Sequence, residues 1–265
     1  MADASLRSRR WAQRNDPRTA VRTAVVWDAL DALVAEQAAA SGRPVLDIVD
    51  VGGGTGGFAV PLATLGHRVT VIDPSPDALA ALQRRAAEAG VGPLVQAEQG
   101  DAGALTALLG RDAADLVLCH GVLEYVDDPE AAVEDAIEVL RSGGLLSLLT
   151  ANRLGAALAR ALSGRFAEAE RLLDDPDGRA ADTDPLPRRF DEASLRRLLD
   201  GRPVRVRAVH GVRLFTDLLP GALVDSDPEA AQDLLALERR CADHPAHRSL
   251  VAVAAQLHLI ADVLR

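Results

Sequence analysis

The chain has 265 residues, 48% of them hydrophobic and only 3% aromatic, enough for one large domain with an aliphatic core. Its formal charge of −10 argues against broad nucleic-acid binding, although a local basic patch stays open, and every Lys/Arg-type residue is arginine. The cysteine pair Cys119 and Cys241 does not make a disulfide scaffold, and no apolar run reaches the length of a membrane span, so a cytoplasmic protein is expected.

Residues 1–18, polar and rich in arginine, read as a mobile arm. From Thr19 to Ala40 apolar residues recur at helical spacing, and Arg22 lies near the start of that helix. The next stretch organises the rest of the chain. Residues 45–56 are an apolar run that ends in glycines 52, 53, 54 and 56, followed by the helical pattern Phe58–Ala63, which predicts a buried strand, a tight turn and a helix start. A second strand, Arg68–Ile72, ends in Asp73, and Asp77–Ala89 is a helix stopped by Gly90 and Gly92. A short strand over 94–98 leads to Gln99, Gly100 and Asp101.

Ala114–His120 is a fourth strand that runs on into Gly121–Val126. Asp128-Pro129 opens a helix expected to reach Leu140, with Arg141–Gly144 as its stop and Leu145–Leu149 as a fifth strand. Beyond Thr150 the pattern predicts a helical segment over 153–175, a loop over 175–189, a helix around Ser194–Leu199, a strand at Val204–Val209 and a helix at Pro228–Cys241. Residues 250–260 permit either a strand or a helix. Strands alternating with helices predict a mostly parallel sheet with helices on both faces. The expected organisation is a single domain over 19–265. It has a cofactor core at 45–150, a helical lid at 153–190 and a C-terminal part at 191–265 that completes the sheet.

The glycine turn lets a ligand approach the backbone, and the helix behind it offers unpaired N–H groups. A carboxylate at the tip of the second strand, Asp73, is placed to accept both hydroxyls of a ribose. Asp101 could accept from an adenine amine or, equally well, cap a helix starting at Ala102. Asp50 could orient the glycine loop or meet an amino group, whereas Asp47 is expected to open the strand without a role. His120 stands at a strand tip where ligands of such sheets bind, and Glu124 is expected to cap or face solvent. No metal-ligand spacing and no Ser–His–Asp arrangement is present in the sequence.

Asp50-x-Gly52-x-Gly54-x-Gly56 resembles motif I of the class I S-adenosylmethionine (SAM) methyltransferases, whose Rossmann-like fold carries a seven-stranded sheet. Further segments resemble one family among them, the tRNA 5-carboxymethoxyuridine methyltransferases. They are the Arg22–Trp27 helix, Val49–Gly56, His120–Tyr125, Ser142–Leu148, Asn152, Gly211–Asp217 and Leu237–Arg240. The last two groups lie outside the cofactor core and discriminate better than the glycines do. The resemblance implies SAM as cofactor, bound by residues matching Arg22, Gly52, Gly53, Asp73, Gln99, Gly100 and His120. It implies a methyl acceptor in tRNA, entering under the lid, with Asn152, Arg153, Arg188 and Arg213 as candidate contacts. In two places the chain departs from the family. Ala151 replaces an aromatic, and the acidic stretch Leu172–Gly178 replaces a lysine-rich lid. A lid meant to grip RNA should carry cations, so a small acidic or hydroxylated metabolite is the alternative acceptor. An inactive binding module and a nicotinamide-dependent oxidoreductase are competing readings. The second needs a Tyr–Lys pair that a chain without lysine cannot form.

Overall fold

A computed structural model describes residues 17–220, 227–242 and 244–265. Most of the expected arm falls outside them, and its last two positions already belong to α1 (Pro17–Ser41). In chain order there follow β1 (Asp47–Val51), α2 (Ala59–Thr64), β2 (Arg68–Asp73), α3 (Pro76–Glu88), β3 (Val95–Gln99) and α4 (Leu105–Leu109). Then come β4 (Ala114–His120), α5 (Pro129–Val139), β5 (Leu140–Ala151), α6 (Arg153–Leu162), α7 (Phe166–Asp174) and α8 (Glu192–Arg197). The chain closes with β6 (Val204–Val212), α9 (Pro228–Cys241), α10 (Arg248–Val251) and β7 (Gln256–Val263).

The seven strands form one sheet in the order β3-β2-β1-β4-β5-β7-β6. The β1–β2, β1–β4, β2–β3 and β4–β5 pairings are all parallel. Strand order reverses between β1 and β4, and the crevice at the carboxyl ends of such a switch point is where doubly wound sheets hold ligands. Leu116, Val117 and Leu118 on β4, and Leu146 and Leu148 on β5, are fully buried, as strands covered on both faces require.

The expected Rossmann-like architecture is present, with local differences. The fifth helix ends at Val139. Leu140 is already extended at ψ 140°, and the Ala113 N–H donates to the Val139 carbonyl, which draws the chain into the sheet early. Arg141–Gly144 are therefore part of β5 rather than a stop, and a register irregularity between Ala114 and Leu116 absorbs the extra length. The 153–175 segment is two helices, parted at Gly164 where φ is +76°. The open question at 250–260 resolves into both structures, since α10 ends at Val251 and β7 begins at Gln256.

Two compact units make up the chain. One comprises 36–149, 196–207 and 259–265, and holds the glycine turn and the strand tips. Among the described residues the other comprises 17–35, 150–195, 208–220, 227–242 and 244–258.

Candidate active site

In the first unit, parallel register brings the candidate cofactor residues to one sheet edge. Asp73 pairs with Gln99 across β2–β3, and Val51 pairs with both Ile72 and Cys119. The glycine turn leaves β1 with the Gly52 N–H donating to the Ile72 carbonyl at 2.7 Å. Gly52 has φ +62°, and a Cβ there would sit 2.4 Å from Val122 Cγ2, so the turn and the loop after β4 touch across the position. At Gly53 a Cβ would meet the Asp50 carboxylate at 2.6 Å and Val71 Cγ1 at 2.9 Å. Backbone and buried carboxylate can approach this closely only where no side chain intervenes.

Asp73 accepts from the Gly54 N–H through Oδ2 and from the Ser75 N–H through Oδ1, both at 2.9 Å. It thus ties the glycine turn to the start of α3, and each oxygen keeps a second lone pair for a ligand. Gln99 donates to the Pro74 carbonyl, and Gly100 donates from its N–H to the Asp73 carbonyl. A Cβ at Gly100 would lie 2.6 Å from Leu108 Cδ1. Asp101 is exposed and does not cap a helix: α4 starts at Leu105, and its first N–H groups donate to Asp135. His120 contacts Ser147 Oγ through Nε2 at 2.8 Å and meets the Phe58 ring edge-on at 4.7 Å. Burial pushes its pKa down to about 3, so the imidazole is neutral at physiological pH.

Asp50 is buried, and its Oδ2 has no hydrogen-bond partner among the described residues. Burial pushes its carboxyl up to about 7, against a lowering hydrogen bond from the Ala59 N–H and with the Asp73 charge adding to the rise. An orphaned carboxylate oxygen beside the turn suits a cationic amino group. If Asp50 takes one, binding of an ammonium-bearing cofactor stabilises its ionised form and releases a proton. Affinity should then climb as pH rises towards about 7 and level off above it. Calorimetry between pH 5.5 and 8.5 checks this, and the slope should vanish in Asp50→Asn. An equal slope in that variant removes Asp50 from the ligand's charge balance.

Two sequence expectations in this unit need correction. Glu124 does not face solvent but is 2% exposed, carried inward by the loop after β4. Asp47 is no idle strand opener. With the buried Asp115 it gathers Arg43, Arg68 and Arg141 into an ionic cluster at the amino end of β1. Asp115 also accepts from the Asp47 N–H at 2.8 Å, so the cluster fastens β1 to β4 at the edge away from the glycine turn.

The second unit holds Arg22 and the acceptor-side candidates. Arg22 pairs with Asp217 at 3.2 Å, and the same carboxylate faces Arg213 Nε at 3.4 Å. Arg213 has φ +57°, and burial pushes its guanidinium pKa down. Glu238, absent from the sequence-level candidates except as part of a matched segment, holds the neighbouring turn. Its carboxylate accepts from the Leu214, Phe215 and Thr216 N–H groups and from the Thr216 hydroxyl, at 2.7 to 2.9 Å. A glutamate on a helix carries no signal in sequence that it will turn inward to a loop.

Asn152 is wholly buried. Its amide donates to the Ala252 and Ala254 carbonyls and its Oδ1 accepts from the Leu154 N–H, so it caps α6 and staples its root to the segment before β7. At Gly155 a Cβ would fall 2.1 Å from the Ala254 carbonyl oxygen, which packs that root still closer. Within residues 153–191, Arg153 pairs with Asp191, Arg188 with Asp177, Arg179 with Asp175 and Arg160 with Glu168. Arg189 pairs with Asp184, and both side chains are nearly buried. Burial would raise the Asp184 carboxyl, but Arg189 and the Ala180 and Leu186 N–H groups outweigh it and hold the pKa at about 2. The acidic residues that replace the expected cations thus engage the arginines that remain.

Three features therefore share one sheet edge: a glycine turn that a Cβ would fill, an orphaned buried carboxylate and a strand-tip aspartate with lone pairs to spare. They suit the amino, backbone-facing and ribose groups of an adenosyl amino acid. Residues 49–148 match the family model described as a methyltransferase domain. The chain matches the S-adenosylmethionine dependent methyltransferase of Mesorhizobium loti in fold, with a TM-score of 0.58 at 21% identity over 91% of this chain and 99% of that one. The magnesium protoporphyrin IX methyltransferase of Synechocystis, solved with bound S-adenosylhomocysteine (SAH), matches at TM-score 0.57 and 18% identity over 92% and 85%. The fold is the one these methyltransferases share, and residues 49–148 carry the methyltransferase domain within it. Among such enzymes, the tRNA 5-carboxymethoxyuridine methyltransferase of Escherichia coli K12 is 31% identical over 226 residues, 85% of this chain and 83% of that protein. The chain belongs to that enzyme's family. A ubiquinone biosynthesis O-methyltransferase of Methylobacterium sp. 4-46 is 37% identical over 119 residues, covering 45% of this chain and 46% of that protein. Among the described residues no helix is long and apolar enough to cross a membrane, and no group of three or more His, Cys, Asp or Glu side chains could hold a metal ion.

Proposed function

We propose that this methyltransferase esterifies the carboxylate of a modified wobble uridine in tRNA, acting in the cytoplasm. The observation that carries the reading is the extent of the E. coli match. It spans 85% of the chain, so it reaches well past the 49–148 core that methyltransferases of many acceptors share. Bound SAM would supply an electrophilic methyl group on sulfonium sulfur. For the cofactor side we propose that Asp73 holds the ribose hydroxyls and Asp50 the amino group. Gly52, Gly53, Gly54 and Gly56 would admit the ligand to the backbone, Gln99, Gly100 and Asp101 would border the adenine, and His120 would line the site as a neutral ring. A carboxylate acceptor is ionised at neutral pH and brings its own lone pair, so the protein need only align it and exclude water. This chemistry needs no general base.

A small hydroxylated or acidic metabolite is the second reading. The ion-paired lid arginines favour it, as does the partial match to an O-methyltransferase. Mass spectrometry of bulk tRNA nucleosides from cells with and without the gene separates the two, because the methyl ester should disappear in the deletion. Rates at subsaturating acceptor give an independent check. With most lid arginines paired internally, few phosphates are neutralised and counterion release is limited. The fall in rate with log salt should therefore be shallow, about 0.7 per phosphate contact for a single strand. Unaltered tRNA nucleosides in the deletion strain remove the tRNA reading and leave the methyltransferase class intact.

A further inference from the structure

The loop after β4 carries the single tyrosine of the chain, Tyr125. Its side chain is 62% exposed, while Leu123 and Glu124 just before it are 0% and 2% exposed. The loop backbone is held at several points. The Gly121 N–H donates to the Leu149 carbonyl, the Tyr125 N–H closes a turn onto the Val122 carbonyl, and Asp128 caps α5 three residues on. Val122 abuts the glycine turn at Gly52. An aromatic ring is thus presented to solvent from a fixed backbone, on the loop that borders the proposed cofactor cradle. Such a ring offers flat, polarisable surface with only two torsions to immobilise, which is what a stacking contact needs.

We propose that Tyr125 is the stacking platform for the planar ring of the methyl acceptor. The proposal rests on the reading of the acceptor given above and adds to it a substrate class: a ring that presents a π-face, either the uracil base of the modified nucleoside or the ring of a small phenolic acceptor. The uracil base is favoured by the greater span of the tRNA-acting relative. Stacking is indifferent to the charge of the partner. It would supply acceptor affinity that the ion-paired lid arginines do not.

The test uses the full chain and an anticodon stem-loop carrying 5-carboxymethoxyuridine. Tyr125→Phe should keep KM for the stem-loop within twofold. Tyr125→Ala should raise it about tenfold or more, with the Kd for SAH and the melting temperature unchanged. A KM within twofold in Tyr125→Ala overturns the platform, and so does a rise in KM that the SAH Kd follows in step, because that pattern marks loop support rather than stacking. A rise in KM in Tyr125→Phe equal to that in Tyr125→Ala assigns the work to the hydroxyl and also overturns it. Wild-type protein that ignores the stem-loop but methylates a small catechol removes the tRNA reading alone, and the same KM comparison on the catechol then decides Tyr125. Wild-type turnover of neither ring overturns the platform.

Discussion

Asp73→Ala should weaken SAM and SAH binding by roughly ten- to hundredfold in calorimetry. The carboxylate accepts two backbone N–H groups, from Gly54 and Ser75, and keeps lone pairs for the ribose diol. Loss of a charge-assisted hydrogen bond costs about 1.5–3 kcal/mol, and here the same change also releases the turn that shapes the cradle. The two contributions separate by comparison with the free protein's stability. The Gly54 N–H is partly buried, so thermal denaturation without ligand should fall by only about 1 kcal/mol, less than the binding loss. Binding within twofold of the parent would show Asp73 to be a bystander. A stability loss matching the binding loss would assign it to loop architecture alone.

Glu238→Ala should produce the larger stability effect. Three backbone N–H groups and one hydroxyl converge on a carboxylate that is 1% exposed. Removing the acceptor leaves those donors without a partner in a site where water reaches only part of them, at about 3–5 kcal/mol in total. The midpoint of urea denaturation should drop accordingly, with the slope unchanged. Because the turn it holds precedes Asp217, partner of both Arg22 and Arg213, the variant should also loosen those pairs. A midpoint shift worth less than about 1 kcal/mol would mean the turn finds other acceptors, and the cradle is then incidental.

Much of the fold was legible because its signals are local. Val-Leu-Asp-Ile-Val-Asp-Val before a run of glycines can only be a buried strand entering a turn that needs positive φ, and Gly52, Gly54 and Gly56 all have it. Asp128-Pro129 announced a helix start, and its aspartate accepts from the first-turn N–H groups; Asp227 does the same for the helix expected at Pro228. The misplaced end of α5 has an equally physical cause. Arg-Ser-Gly-Gly is a good helix stop in isolation, but pairing of Leu140 with Ala114 pulled the chain into the sheet five residues sooner than Leu145.

The sequence by itself determined the class of this protein. Periodicity set the alternation of strands and helices, and the glycine run set the tight turn after β1, because each of those signals acts through its own stretch of backbone. Tertiary structure alone decided which charges are available. Asp47 joins an arginine cluster, Glu124 turns inward, Glu238 holds a distant turn, and arginines of the 153–190 segment are ion-paired with carboxylates in and beside it. Charge pairing depends on distances between residues far apart in the chain, and a formal count of −10 cannot tell an arginine in an ion pair from one that waits for a phosphate.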